Sequence, residues 1–446
     1  MKRFLYLFLV TCISLSTLHA QKTWTLEECI KYALEKNIQI KKQQLTYQIN
    51  EENFNQSKYN LLPDLGVGLN HNLNSGKALN TDQYKWENKT FQDGSVGLQA
   101  NVTLFNGLQN LNNVKYFKYS MQKSLADLEK AKNDIALNIA LGYLDILYNT
   151  ELLEVAKSQI EVTLLQVEKN KKLVEVGNVA KGTLLEIQSQ AAREKVSVTN
   201  AKNNLDISFL NLTQLLDLDS VGNFQISKPE LLNVEENKIL ESVLDIYSVA
   251  VSRMPQIKSS ELNLEVQKTN LAISKGKYSP RLTMSGLYYS RYSALAVDPL
   301  NPNSKYTYMN QLKDNQYKQL TLSLQIPIFS KFQTRTTVST SKIQVNDAEY
   351  TVLQTKKALY KEIQQAHADA LASFDNFNSR KEAVLSSEEA FKYSQQKLEV
   401  GMISAVDYNL AKNNLIKAKS DLIQAKYQFI FKVKVLDFYK GSALTL

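Results

Sequence analysis

The chain has 446 residues, 43% hydrophobic and 22% charged, with a formal net charge of +9. Lysines and glutamates are interleaved throughout, which reads as solvated helix faces and excludes a nucleic-acid patch. Two cysteines and three histidines exclude a disulfide framework, a zinc or copper centre of several soft ligands, and a nucleophile paired with histidine.

Residues 1–20 read as a signal peptide. Lys2 and Arg3 give a basic start, an apolar run extends from Phe4 to Leu18, and His19-Ala20 ends in a small residue before Gln21. Thr11, Ser14, Ser16 and Thr17 interrupt the run, so a membrane anchor of about 20 apolar residues is the weaker reading. Cys12 sits too early, and directly after Thr11, for a lipidation site. Cleavage removes Lys2 and Arg3, leaving +7 of the original +9 and Cys29 as the remaining cysteine. After Ala20 no apolar run is long enough for a membrane helix. An exported chain of this kind is periplasmic, secreted or an outer-membrane barrel.

The mature chain then reads as two repeats, 21–232 and 233–446, each with a helix, a strand pair, a long helix, a tip and a further helix. In the first, a helix is expected over about Ile38 to Tyr59, with Asn37 as its cap. A strand pair is expected over 64–104. Leu65, Val67 and Leu69 alternate with Asp64, Gly66, Gly68 and Asn70. Val96, Leu98, Ala100, Val102 and Leu104 alternate with Gly97, Gln99, Asn101 and Thr103. Period two gives each run one apolar and one polar face. The runs are about ten residues, the length of a tilted membrane strand. Their polar faces carry almost no charge, and aromatics such as Trp86 and Phe105 gather at the ends, as in an interfacial girdle. The polar stretch from about Asn70 to Ser95 reads as an extracellular loop.

A long helix follows over 107–174. Leu111, Val114, Met121, Leu125, Leu128, Ile135 and Ile139 form a three-four seam, which means coiled-coil packing. At 1.5 Å per residue such a helix spans about 100 Å. Gly177 suits a left-handed helix end, and Val176-Gly177-Asn178-Val179 form a tip before a helix over 183–216. Stacked end to end, helices 38–59 and 183–216 match the long one and make a second column beside it.

The second repeat follows the first at an offset of 217 and then 224 residues: Gln39-Ile40-Lys41 match Gln256-Ile257-Lys258, and Glu175-Val176-Gly177 match Glu399-Val400-Gly401. The added residues fall in one place, between the paired strands, where loops tolerate length change. The second copy is expected as a helix from about Gln256 to Tyr278, a strand pair over 281–329, a long helix over 332–398 and a helix over 406–439. Leu320, Leu322, Leu324, Ile326 and Ile328 make its cleanest apolar stripe, with Pro327 near the bend into the helix. About Ser290 to Gln319 reads as the second outer loop. The seam is Tyr360, Ile363, His367, Ala370, Phe374, Phe377 and Val384. The tip is Val400-Gly401-Met402-Ile403. Met402, Ile403 and Val179 are expected as exposed apolar residues that mark a partner surface.

Four membrane strands cannot close on themselves, and an open edge cannot stand in lipid. The chain must therefore oligomerise, and its helices must continue the barrel as a helical tube. The duplication, the strand starts Leu62-Pro63-Asp64-Leu65 and Ser279-Pro280-Arg281-Leu282, the junctions Leu104-Phe105-Asn106-Gly107 and Pro327-Ile328-Phe329, and the paired Val-Gly tips together resemble the TolC-type outer-membrane efflux protein family. The resemblance covers Trp24 to Lys440. It implies an α+β membrane protein: a homotrimer with a twelve-stranded barrel continuing into an α-helical coiled-coil tunnel. It also implies outer-membrane lipid around the barrel, a periplasmic adaptor protein, and an inner-membrane pump of RND, ABC or MFS type as partners, in a Gram-negative cell. Neither a cofactor, a bound metal nor an enzymatic activity is implied.

Members often carry an acidic residue six places after the tip glycine, near the periplasmic entrance. Asp407 fits that pattern in the second copy, whereas Thr183 stands at the matching place in the first. Some members have an arginine where this chain has Ile403, which leaves a salt-bridged gate without its cation. The runner-up function is a periplasmic adaptor, which also has a secretion signal and a coiled-coil hairpin. Two hairpins and four amphipathic strands speak against it. No acid, base and nucleophile assemble as an enzyme would need, and the lack of Met and His clusters speaks against dedicated copper export.

Overall fold

A computed structural model describes residues 23–80, 84–218, 224–229, 241–301, 304 and 306–445; the signal segment lies outside them. The elements are β1 (Thr23–Trp24), α1 (Leu26–Lys36), α2 (Ile38–Tyr59), β2 (Asp64–Asn80), β3 (Lys85–Phe105), α3 (Gln109–Glu175) and α4 (Lys181–Leu215). Then come β4 (Gln225–Ile226), α5 (Val243–Arg253), α6 (Pro255–Gly276), β5 (Arg281–Ser293), α7 (Tyr308–Asp314), β6 (Tyr317–Gln325), α8 (Gln333–Glu399) and α9 (Ala405–Tyr439). Among the described residues no helix is long and apolar enough to cross a membrane.

The chain divides into two compact units, each drawing on both halves of the sequence. One contains 126–258 and 354–446 with the N-terminal residues to 45. Its cores pair matched positions of the two halves. Ala33 and Ala250, Ile139 and Ile363, Ile40 and Ile257, and Leu212 and Leu436 are all buried. The first of each pair belongs to a core drawn from α1, α2, α3 and α4; the second belongs to a core drawn from α5, α6, α8 and α9. Burying each large apolar side chain contributes about 1.5–3 kcal/mol.

Short helices α1 and α5, which the sequence patterns did not anticipate, are set by caps. Thr25 and Glu28 form a capping box at α1, and the Ser242 hydroxyl accepts from the Asp245 amide at α5. The Tyr143 hydroxyl is shared between the carbonyls of Ser227, at 2.5 Å, and Trp24, at 3.1 Å. This ties α3 to the small parallel sheet of β1 and β4, and burial raises the phenol above the ordinary tyrosine range.

The expected stacking of α4 on α2 is present. Asn37 caps α2, its Oδ1 accepting from the amides of Gln39 and Ile40, while its Nδ2 donates to the Leu215 carbonyl at the end of α4. The Asp217 carboxylate accepts from the Ile38 amide at 2.7 Å. An acid at a helix N-terminus also satisfies the dipole. In the second half Pro255 starts α6 instead, and Gly441 stands where Asp217 stood; both are left-handed, with φ of 87° and 53°.

The other unit, 46–125 with 259–353, holds an antiparallel sheet of order β2-β3-β5-β6. Its register sets Val67 opposite Leu98, Leu98 opposite Tyr288 and Tyr288 opposite Lys318. Three expectations are corrected here. The stretch from Asn70 to Ser95 is mostly strand, because backbone ladder bonds carry β2 and β3 to Asn80 and Lys85 whatever the side chains. The stretch from Ser290 to Gln319 contains the end of β5, the helix α7 and the start of β6. The last strand ends at Gln325, before Ile326 to Phe329, since Pro327 has no amide for a ladder. The seam is also only partly packed: Leu128, Ile135 and Ile139 are buried, whereas Leu111 and Leu125 are exposed on the single chain.

Candidate functional site

The sheet presents one broad apolar face to the surroundings. Leu65, Val67, Leu69, Leu320, Leu322 and Leu324 are 60–77% exposed. Directly opposed residues of an antiparallel pair share a face, so these join Leu98, Met284 and Tyr288 in one stripe. The reverse face carries Gly97, Gln99, Asn101, Thr283, Ser285, Thr321 and Ser323. Strands β2 and β6 each have one partner and so offer a free edge.

Each long helix ends at its tip in a Schellman turn. Gly177 and Gly401 have φ of 80° and 78°. The Asn178 amide donates to Leu173 and that of Gly177 to Val174; Met402 and Gly401 repeat this with Lys397 and Leu398. The structure corrects which apolar tip residues are exposed. Val176, Val400 and Met402 are exposed, whereas Val179 and Ile403 are half-buried. The left-handed glycine reverses the chain, so the second residue past it lies back against the hairpin.

Asp407 stands in the first turn of α9 and closes a capping box. Its Oδ2 accepts from the Ser404 hydroxyl at 2.8 Å, and its amide donates to that hydroxyl at 3.2 Å. The carboxylate remains exposed. At the matching end of α4, Thr183 is half-buried and the cap residue Ala180 has no side-chain bond to offer.

A polar network that sequence patterns did not reveal lies just beyond the tips. Lys412 of α9 is buried and donates to Glu194 of α4 at 3.1 Å and to the hydroxyl of Thr163 on α3. That hydroxyl donates to the other Glu194 oxygen, and Gln190 adds a bond of 2.9 Å. One turn nearer the tip, the Tyr408 hydroxyl accepts from Gln166 at 2.6 Å. The second hairpin is thereby bound to both helices of the first. Burial lowers Lys412 below the ordinary lysine range, and Glu194 opposes that shift. Thr163, Glu194 and Lys412 lie 31 and 218 residues apart, a separation no local spacing reports.

Leaving a buried charge alone costs about 3–5 kcal/mol, while replacing both by apolar groups of similar size is near neutral. Glu194→Leu and Lys412→Met should each lower the thermal midpoint of the folded protein steeply. The double variant should recover most of the loss. Additive losses in scanning calorimetry would show that the pair is not coupled.

Comparison with known proteins agrees with this architecture. The chain is 22% identical over 397 residues to outer membrane protein TolC of Escherichia coli (strain K12), covering 85% of this chain and 74% of that one. It is 19% identical over 409 residues to outer membrane efflux protein BepC of Brucella suis, covering 91% and 83%. The crystal structure of the Campylobacter jejuni CmeC outer membrane channel superposes with a TM-score of 0.79 over 94% of this chain and 87% of that one, at 17% identity, which establishes the fold alone. The family model described as outer membrane efflux protein matches residues 29–217 and 246–440, so the chain belongs to the outer membrane efflux protein family.

Proposed function

We propose that the chain forms the outer-membrane channel of a tripartite efflux or type I secretion system. It is a passive conduit that receives cargo from an inner-membrane pump through a periplasmic adaptor. The observation that carries this reading is the four-stranded sheet with an exposed apolar face, a polar reverse face and two free edges. Lipid covers the first, the lumen wets the second, and neighbouring copies pair the third. Three copies supply twelve strands, enough to leave a bore where eight would fill with side chains. The two halves act as one architecture built twice, with two strands and one hairpin each. The exposed Leu111 and Leu125 then pack against the neighbouring copies. Matched relatives named as outer membrane proteins favour this over the adaptor alternative.

In this reading the helical hairpins lie in the periplasm. The tips, Val176 to Val179 and Val400 to Ile403, dock the adaptor. Asp407 and Thr183 stand near the entrance, one carboxylate per chain. Glutamate at Val176 or Met402 places a charge in a surface that must be desolvated on docking. A hot-spot loss of about 2 kcal/mol is over tenfold in affinity. Both variants should reach the outer membrane at normal level and oligomeric state yet fail to export and fail to co-purify the adaptor. Normal export by both would place docking elsewhere. A chain recovered as a soluble monomer would overturn the channel reading itself.

A further inference from the structure

We propose that a second copy of this chain packs its α4 on α8, head to tail, and contributes Lys202 to Asp375. This rests on the oligomeric channel reading above and names the helical surfaces, and one ion pair, that join neighbouring copies.

The chain carries its own template for that joint. Helices α3 and α8 have 67 residues each, α4 and α9 have 35 each, and the same offset of 224 residues relates both pairs. Within the chain α9 packs on α3. Leu147 of α3 and Tyr427 of α9, 3% and 4% exposed, share one core, and Phe431 packs against it. The Tyr427 hydroxyl donates to Glu151 at 2.7 Å, and the Lys426 ammonium lies 3.5 Å from the same carboxylate. On its other side α9 meets α8, with Lys432 2.7 Å from Asp369 and Arg380 2.6 Å from Asp421.

The counterpart of α9 on α3 is α4 on α8, and that joint is open in the single chain. Leu371 of α8, which matches Leu147, is 47% exposed, and Ile207 of α4, which matches Phe431, is 46% exposed. Asn203 is exposed where Tyr427 is buried. Val196, Asn203, Ile207 and Leu210 recur at helical spacing, so they form one stripe of α4, and all four are exposed. Lys202 matches Lys426, and Asp375 matches Glu151. Both are exposed, and neither has an ion-pair partner among the described residues. The template thus supplies an apolar stripe, a facing leucine and a pair of opposite charges. Lys202 and Asp375 stand on the helices that the chain leaves uncovered, so the partner of each is a residue of another copy. A contact of α4 on α8 leaves the opposite face of each copy free for the next, and such a heterologous contact continues until a ring closes.

The test uses the full-length chain, extracted from outer membrane in detergent, with the oligomer fraction read by native mass spectrometry. Lys202→Asp and Asp375→Lys each set like charges across the joint and should lower the recovered oligomer roughly tenfold. Both positions are exposed, so neither change disturbs the packing of the chain itself. The double variant, Lys202→Asp with Asp375→Lys, restores opposite charges and should recover most of the oligomer. Full assembly of both single variants would overturn this inference alone, as would a double variant no better than either single one. Single variants that assemble normally but lose the adaptor would assign this surface to the adaptor and overturn it too. A wild-type chain recovered as a soluble monomer would overturn the channel reading and this inference with it.

Discussion

Arginine at Leu322 is expected to stop the chain from assembling in the outer membrane, while arginine at the adjacent Ser323 leaves assembly intact. The two residues are neighbours on β6, so any effect of strand propensity is shared. They differ in face. Leu322 lies opposite Met284 on the apolar side and is 64% exposed on the single chain, whereas Ser323 lies opposite Thr283 on the polar side. If lipid covers the apolar face, an arginine there costs about 2–4 kcal/mol near the midplane in every copy. On the lumen side the same guanidinium stays in water. The measurement is the fraction of each variant recovered from outer membrane as a heat-sensitive oligomer. Leu324→Arg should behave as Leu322→Arg, and Gln325→Arg as Ser323→Arg. Equal damage on both faces would mean that the sheet is buried on both sides, as in a soluble protein.

The second large effect is expected at the junction where β3 turns into α3. Gly107 has φ of 66°, and a Cβ there would lie 2.3 Å from the Gly276 carbonyl oxygen and 2.6 Å from the Ser279 Cβ. The relation is mutual, since a Cβ on Gly276 would lie 2.5 Å from the Gly107 carbonyl oxygen. The obstacle is backbone, which cannot swing aside as a side chain can. The left-handed conformation alone is not what demands glycine. Lys331 occupies the matching place in the second half with φ of 48°. Alanine at Gly107 should therefore cost the left-handed penalty of about 1–2 kcal/mol together with about 1–3 kcal/mol of overpacking. Gly177 and Gly401 are the internal controls. Both are left-handed, but nothing lies within 4 Å of a Cβ placed there, so alanine should cost only the first of these. Thermal dissociation of the oligomer, followed by gel shift, should rank Gly107→Ala and Gly276→Ala well below Gly177→Ala and Gly401→Ala. Four equal shifts would show that close approach at the junction contributes nothing.

Local chemistry explains which features were legible in the sequence. Period two in Leu320 to Leu324 and in Val96 to Leu104 follows from the pleat, so the strands and their apolar face could be read directly. The two Schellman glycines, the Asn37 cap and the start of α2 at Ile38 depend on residues within one turn of each other, and all were anticipated. Strand length was not, because β2 and β3 continue through Asn, Ser and Lys on backbone pairing that polar side chains neither reveal nor prevent.

By itself the sequence carried the long helices and the amphipathic strands, because each is a periodic property of neighbouring residues, and the motifs on which the family resemblance rested. Only the tertiary structure decided which apolar tip residues are exposed, with Val176, Val400 and Met402 outward and Ile403 half-buried. It alone joined Lys412 to Glu194 and Thr163 across three helices, and Gly107 to Gly276 across a junction. These features depend on which strands and helices come to lie side by side, and loop closure brings together residues whose separation along the chain carries no signal of the contact.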